Sequence, residues 1–467
     1  MKKGFLAFAM LISFQHFSIA QDSAKVFSQE NLFWYLTNYH PISQQASIQI
    51  EKGENEVRKS RGQLDPSLFS NFNQKQFNQQ EYYNLFSGGL KIPTFYGVDF
   101  TAGYDQNRGV NLNPENKIAS DGLMFAGVSV PIGQGLFIDK RRAAIKKSEL
   151  YAKSTFAEQK LILNNLYYDA TISYLQWVNH FNQMQLFQNA FTLANDRFLG
   201  VKQSFLGGDV PAIDTLEAFI LVQVRSVSLN QAKLNYQNAT LELSNYLWFE
   251  NNTPLEITNQ LIPPSIDKLS AQKGIGIDSL NSILRDLKTE HPQFQWYDFK
   301  LKQLDIERRW NAEQLKPILN LKYNFLNEPI GGDVFGGFST NNYNWGIDFN
   351  IPLFLRESRG RLNITKLNIQ ETQLEIDVKW LELSNKIRRY HNELIALEQQ
   401  IELFNDATAN YFTLLEAEKR KFFMGESSIF VINSREAVYV QAAIKLIELN
   451  VKYQSAMAEF KLASATW

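Results

Sequence analysis

The apolar residues of this chain keep two different beats, and the beats alternate along it. Between Phe137 and Phe205 the beat is seven residues. Leu163, Ala170, Trp177, Met184, Phe191 and Phe198 form one seam; Tyr167, Tyr174 and Phe181 form a second that passes into Gln188 and Asn195. Seams three and four residues apart make one narrow apolar stripe on a helix. The stretch holds no proline, and its sole glycine is Gly200, so the spacing predicts an unbroken helix on the order of 100 Å long. Leu362 to Phe423 repeats the pattern without proline or glycine. Its seams are Trp380, Ile387, Leu394, Ile401 and Leu383, Tyr390, Leu397, Phe404, Tyr411. A return helix follows each: Ile213, Ile220, Val227, Leu234 and Leu241 after the first, Val440, Ile444, Ile447 and Val451 after the second.

Ahead of each long helix the beat is two. Tyr96, Val98, Phe100, Ala102 and Tyr104 alternate with Gly97, Asp99, Thr101 and Gly103, which predicts a strand from Tyr96. Leu85 to Ile92 supplies a hairpin partner, Leu123 to Val130 another strand, and Ser67 to Phe77 a strand of poorer alternation. In the second half Leu319 to Phe325 and Trp345 to Ile351 alternate in the same way. Residues 26–62 read as a helix broken or bent near Pro41 ahead of the first block, and His291-Pro292 repeats its His40-Pro41. Each half therefore reads helix, strands, long helix, turn, return helix, an internal repeat. The predicted organisation is residues 21–249 as the first repeat, with strands in about 67–131 and a helix hairpin in about 137–249. A connector spans 250–277, and a second repeat 278–467 has strands in about 318–353 and a hairpin in about 356–466.

Composition narrows the possibilities. Lys2 and Lys3, the apolar run Leu6–Phe14 and the small residues Ser18 and Ala20 make residues 1–20 read as a secretory signal peptide. Nothing later is apolar enough for a spanning helix, so a mature chain that crossed a membrane would do so as a β-barrel. The strands fit a half-buried soluble sheet or a barrel wall. Export, and helices whose stripes serve one another, favour the wall. So few strands cannot close a barrel alone, so several chains must share one.

A formal net charge of −1 offers no field for nucleic acid. There is no cysteine, and the five histidines are scattered, which leaves no thiolate or metal cluster. No phosphate loop or nucleophile constellation is present, so no enzyme and no cofactor is indicated. The remaining alternative is a periplasmic coiled-coil adaptor or scaffold without a pore; the strand blocks and the 35 Phe and 19 Tyr weigh against it.

Over the mature length the chain resembles the TolC-type outer-membrane efflux channels. The resemblance rests on the duplicated layout and on Val130-Pro131 and Ile351-Pro352 before the long helices. It rests also on Arg141-Arg142 and Arg361 at their starts and on a glycine turn in each half. Gly208 to Asp214 keeps the family's glycine-to-Asp spacing, whereas the turn from Gly425 has Val431 where the Asp would stand. The stretch from Leu90 through Asn113-Pro114 to Arg142 is similar to Bacteroidota-like members.

The resemblance implies an α+β homotrimer, with strands in one outer-membrane β-barrel, in contact with lipid, and helices in one periplasmic α-barrel. The family usually lends one strand pair per half, so the hairpin around Leu85–Tyr104 is extra, either joining the wall or sitting beside it. The resemblance also implies a periplasmic adaptor and an inner-membrane pump of RND or ABC type, serving efflux or type I secretion. The adaptor would dock on the two turns, Gly208, Asp209 and Pro211 with Gly425, Glu426, Ser427 and Ser428. The periplasmic aperture would be Asp214, Glu217, Asn433 and Glu436; the family's constricting acids fall without a gap on Val431 and Ser434, and with a small slip on Asn433 and Glu436. The family's arginine partner for Asp214 is Ser427 here. Read plainly, Gly208 and Gly425 are helix stops, Asp209 and Ser428 N-caps, and Glu436 a solvated acid on an exposed helix face.

Overall fold

Each half of the chain opens on two helices split by a His-Pro step. In the computed structural model, which describes residues 25–258, 260–265, 274–329, 333 and 339–467, β1 (Lys25–Val26) leads into α1 (Gln29–Tyr39) and α2 (Pro41–Arg61). The residue before a proline is held out of the α region. His40 accordingly sits at φ −67°, ψ 132° and becomes the N-cap of α2, its Nδ1 accepting from the Ile42 N–H at 3.1 Å. The second half repeats the device. His291, at φ −70°, ψ 128°, separates α5 (Ile277–Glu290) from α6 (Pro292–Glu313) and accepts from the Gln293 N–H at 3.1 Å. The signal-peptide reading of residues 1–20 lies outside the described residues.

Strands β2 (Ser67–Phe77), β3 (Gln80–Pro93), β4 (Asp99–Arg108) and β5 (Leu123–Pro131) follow α2; β9 (Ile318–Asn327) and β10 (Tyr343–Asn350) follow α6. All six form one antiparallel sheet in the order β10-β9-β5-β4-β3-β2. The predicted strand from Tyr96 begins three residues later. Gly97, at φ 83°, donates its N–H to the Thr94 carbonyl and closes a turn in which the Val98 carbonyl accepts from the N–H and hydroxyl of Thr94, so 94–98 connects β3 to β4. A left-handed φ is open to glycine at little cost.

The register puts like residues on one face. Leu68, Leu90, Ala102, Ala126, Phe325 and Tyr343 pair in one line across all six strands. The adjacent line, on the opposite face, is Ser67, Lys91, Thr101, Gly127, Asn324 and Asn344. On the apolar face Leu68, Phe72, Phe100, Trp345, Ile347 and Phe349 are exposed, Leu68 at 85%.

The long helices are α3 (Lys140–Leu206) and α7 (Arg356–Phe423), returned by α4 (Ala212–Ser244) and α8 (Ile429–Ser464). After α4 the chain forms a small hairpin, β6 (Trp248–Phe249) with β7 (Thr253–Pro254), and then β8 (Leu261–Ile262), which pairs in parallel with β1. The described residues fall into two compact units. One draws on the described residues within 25–35, 173–265 and 403–451; the other on those within 36–172, 274–402 and 452–467.

The first unit packs around Trp177, Tyr174, Leu175, Leu32 and Leu243, all at most 1% exposed. Phe27 meets Trp177 edge-on at 6.2 Å and accepts from the Tyr174 hydroxyl through its carbonyl at 2.9 Å. The α4 seam in this unit keeps its seven-residue beat without a partner. Ile213, Ile220, Val227, Leu234 and Leu241 are each about half exposed or more, Val227 reaching 70%. The second unit packs around Leu36, Leu166, Ala170, Ile387, Leu394 and Phe460. In it α7 leaves Leu367, Leu374 and Leu381, again seven apart, exposed.

His291 supplies a pH dependence. Loss of hydration on burial lowers its pKa from 6.5 to about 4, Lys379 acting in the same direction and a backbone hydrogen bond at Ala463 against it. Below 6.5 the unfolded chain takes up a proton that the folded chain refuses. Stability should therefore be complete above about pH 6.5 and fall on acidification towards 4, by at most about 1.4 kcal/mol per pH unit. Amide exchange of α5 and α6 at pH 7 and pH 5 measures the loss. His291→Asn, which can still cap the helix, should abolish this slope.

Candidate functional site: the paired hairpin turns

Two glycines end the long helices by the same geometry. Gly208 is at φ 86° and Gly425 at φ 78°. The Asp209 N–H reaches back to the Ser204 carbonyl at 2.9 Å and the Gly208 N–H to Phe205 at 3.0 Å. In the second half Glu426 reaches Lys421 at 2.9 Å and Gly425 reaches Phe422 at 3.0 Å. Both are Schellman closures, which satisfy carbonyls orphaned at a helix end and require a left-handed residue. A Cβ would touch nothing within 4 Å at either glycine, so a substitution there would act through backbone strain alone.

The structure brings the two turns together. Val201 of α3, Ala218 of α4 and Ile429 of α8 form one buried cluster, with Phe198, Val210 and Phe422 packed on it. Asp209 is exposed and does not cap α4, which starts at Ala212 with Pro211 in the N-cap position. The helix starts four residues past Gly208, as α8 starts four past Gly425, so the cap position falls on residue 211 rather than 209. Asp214 lies in the first turn of α4, where the helix dipole favours an acid, and makes no ion pair among the described residues. Ser428 does start α8: its carbonyl accepts from the Val431 and Ile432 N–H groups. Ser427 donates its hydroxyl to Glu418 at 2.5 Å, a contact within its own hairpin, and Glu426 is exposed.

Two helical turns past Ile429, Glu436 departs most from the sequence reading. It is 2% exposed and is no solvated acid. Arg197 of α3 donates to its Oε2 at 2.5 Å and to Asn433 Oδ1 at 2.8 Å; Asn433 donates in turn to Glu217 at 3.4 Å. Arg225 of α4 lies 3.6 Å from Glu436 Oε1, beyond hydrogen-bond reach. Neither that oxygen nor Arg225 Nε has a hydrogen-bond partner among the described residues. Glu217, Asn433 and Glu436 are thus drawn together and Asp214 is not.

Arg197 and Arg225 were absent from the sequence expectation. Arg225 had a signal: it is the lone charge between Ala218 and Ala232, and an isolated charge among apolar helix positions needs a buried partner.

No protein-family model matches the sequence, and no curated relative matches it. The fold does have counterparts. The chain superposes on the Campylobacter jejuni CmeC outer membrane channel with TM-score 0.63 at 15% identity, over 100% of this chain and 93% of that one. It superposes on the open state of the Neisseria gonorrhoeae MtrE outer membrane channel with TM-score 0.68 at 12% identity, over 94% and 88%. For the outer membrane protein VceC of Vibrio cholerae the values are 0.63 and 11%, over 94% and 96%. The chain has the TolC-type channel fold. Among its described residues no helix is long and apolar enough to cross a membrane, and none of their acids and histidines cluster as metal ligands.

The buried charges of this fold give a stability test. Glu436→Ala would leave two guanidinium groups without a counter-charge, at a cost of about 3–5 kcal/mol, read as faster amide exchange in α8 from Ile429 to Val440. Replacing Glu436, Arg197 and Arg225 together by Leu or Met should restore most of the protection. A triple variant as labile as Glu436→Ala would mean that the charges themselves hold the helices.

Proposed function

We propose that this chain is the subunit of a passive outer-membrane exit channel. Three copies share one barrel in the membrane, and their long helices form a periplasmic tube. The two turns receive a periplasmic adaptor, which couples the duct to an inner-membrane pump for efflux or type I secretion. The observation that carries this reading is the sheet. Its six strands are 8 to 14 residues long, and about 9–11 tilted residues cross a bilayer. One face is apolar and exposed, and the other carries Ser, Thr, Asn, Lys and Asp, with Phe69, Leu85, Phe125 and Leu326 among them.

Exposed aromatics stand at both ends of the strands, Phe95, Tyr96, Phe137 and Phe354 beside the helices and Phe77 and Tyr343 beyond, the girdle pattern of membrane barrels. The bare seven-residue stripes of α4 and α7 support assembly, because such stripes are normally covered by other helices. The Arg197–Glu436–Arg225 cluster ties α8 to α3 and α4 and serves as the latch of the resting tip. The structural counterparts CmeC and MtrE are outer membrane channels, which is consistent with this role.

The test is mass in detergent followed by single-channel recording in planar bilayers. The expected result is a trimer with small, uniform conductance steps. Glu436→Ala should enlarge the steps, whereas Asp214→Ala, which breaks no ion pair, should leave them unchanged. A soluble monomer would overturn the channel reading in favour of a scaffold; unchanged steps in Glu436→Ala would remove the latch.

A further inference from the structure

Among the described residues the first half contributes two more strands to the sheet than the second; the surplus hairpin is β2–β3, not the Leu85–Tyr104 pair expected from the sequence, because β4 pairs with β5. Resting on the shared-barrel reading, we infer that this hairpin is a membrane-spanning part of the wall. The free edge of β2 then seats against the free edge of β10 in a second copy of this chain, so that three copies close an eighteen-stranded barrel.

Three observations carry this. The hairpin is in phase with the rest. Leu68 and Leu90 continue the apolar line through Ala102, and Ser67 and Lys91 continue the polar line through Thr101, with no slip between β3 and β4. A one-residue slip would have reversed every side chain. Phe72 pairs with Phe86 on the apolar side and Asn71 with Ser87 on the polar side, although Phe69 and Leu85 interrupt the polar side and the register shifts between Lys75 and Gln76.

Length also fits. β2 has 11 residues and β3 has 14, joined by a two-residue turn with Asn78 and Gln79 at φ 51° and 60°. Such a turn matches the twist of paired strands.

The third observation is the edges. The described sheet ends in β2 on one side and β10 on the other, and an open strand edge is not tolerated in hydrocarbon. β2 leads away from α2 while β10 leads into α7; in the alternating order of this sheet the two run in opposite directions, as antiparallel pairing between copies requires. A strand spacing of about 4.8 Å and a tilt of about 40° give a backbone diameter of about 36 Å for eighteen strands, against about 24 Å for twelve.

The chain has no cysteine, so disulfide trapping can be read without background. Asn71→Cys in β2 is combined in turn with Asn344→Cys, Gly346→Cys or Asp348→Cys in β10, all on the polar face. The rival set joins Thr101→Cys in β4 to the same three positions. Covalent dimers and trimers from at least one β2–β10 combination, and none from β4–β10, are expected on oxidation in the membrane. Bands from the β4 set, or none from the β2 set in protein whose mass shows a trimer, would overturn the inference while leaving the channel reading intact. A monomer by mass would overturn both.

Single variants give an independent readout. Asn73→Cys should react with a water-soluble maleimide and Phe72→Cys only with an apolar one. Equal reaction of both with the water-soluble reagent would place the hairpin outside the bilayer and overturn the inference.

Discussion

The sheet's unpaired edges and its bare apolar face constrain everything else in this molecule. A backbone N–H or C=O without a partner costs little in water and several kcal/mol in hydrocarbon. A six-stranded sheet with one exposed apolar face therefore suits neither environment as a single copy: water opposes its face and lipid opposes its edges. Closure with further copies removes both problems at once. The helices make the same demand in a different currency of contacts. Among the described residues α4 leaves Ile213, Ile220, Val227, Leu234 and Leu241 about half exposed or more, an apolar stripe whose burial favours assembly by roughly 25 cal/mol per Å² covered.

Duplication supplies most of the local devices, and its imperfections mark where the halves differ. The His-Pro caps at His40 and His291 and the Schellman closures at Gly208 and Gly425 are the same solutions written twice. Each is local, needing only a few residues in order, so it persists whatever packs around it. The differences are tertiary. β2–β3 has no counterpart among the described residues of the second half, and the turn after α3 carries Pro211 where the turn after α7 carries Ser428. That substitution leaves the helix start in place, four residues past the turn glycine in both halves, at Ala212 and Ile429.

This explains what could be read from the chain. Periods of two and seven are properties of one strand or helix, so the strands, the two long helices and their returns were legible. β4 was drawn three residues too long because Gly97 continues the alternation on paper while its left-handed φ turns the chain. The α4 stripe was legible as a stripe, but nothing in a single sequence says whether its partner lies in the same copy. Glu436 was legible as a polar position and, through the family resemblance, as an aperture residue, but not as a buried one. Its burial depends on Arg197 and Arg225, which are 239 and 211 residues away, and such pairing leaves no periodic trace.

The chemistry of that cluster bears on what it is for. Buried ion pairs are poor sources of stability; apolar side chains of similar volume generally hold helices as well or better. A cluster in which Glu436 Oε1 and Arg225 Nε remain without hydrogen bonds is further from optimal than most. Its advantage is selectivity of register, since displacing α8 along α3 by one turn would strand a carboxylate and two guanidinium groups without partners. It also separates more readily into water than an apolar plug of equal area, because its charges regain hydration when exposed. Beside the two turns that Val201, Ala218 and Ile429 bind together by packing, a charged contact is the part of the tip whose strength water and an incoming partner's charges can change. That argues for assigning release to Glu436 and its arginines, and permanence to the apolar cluster below them.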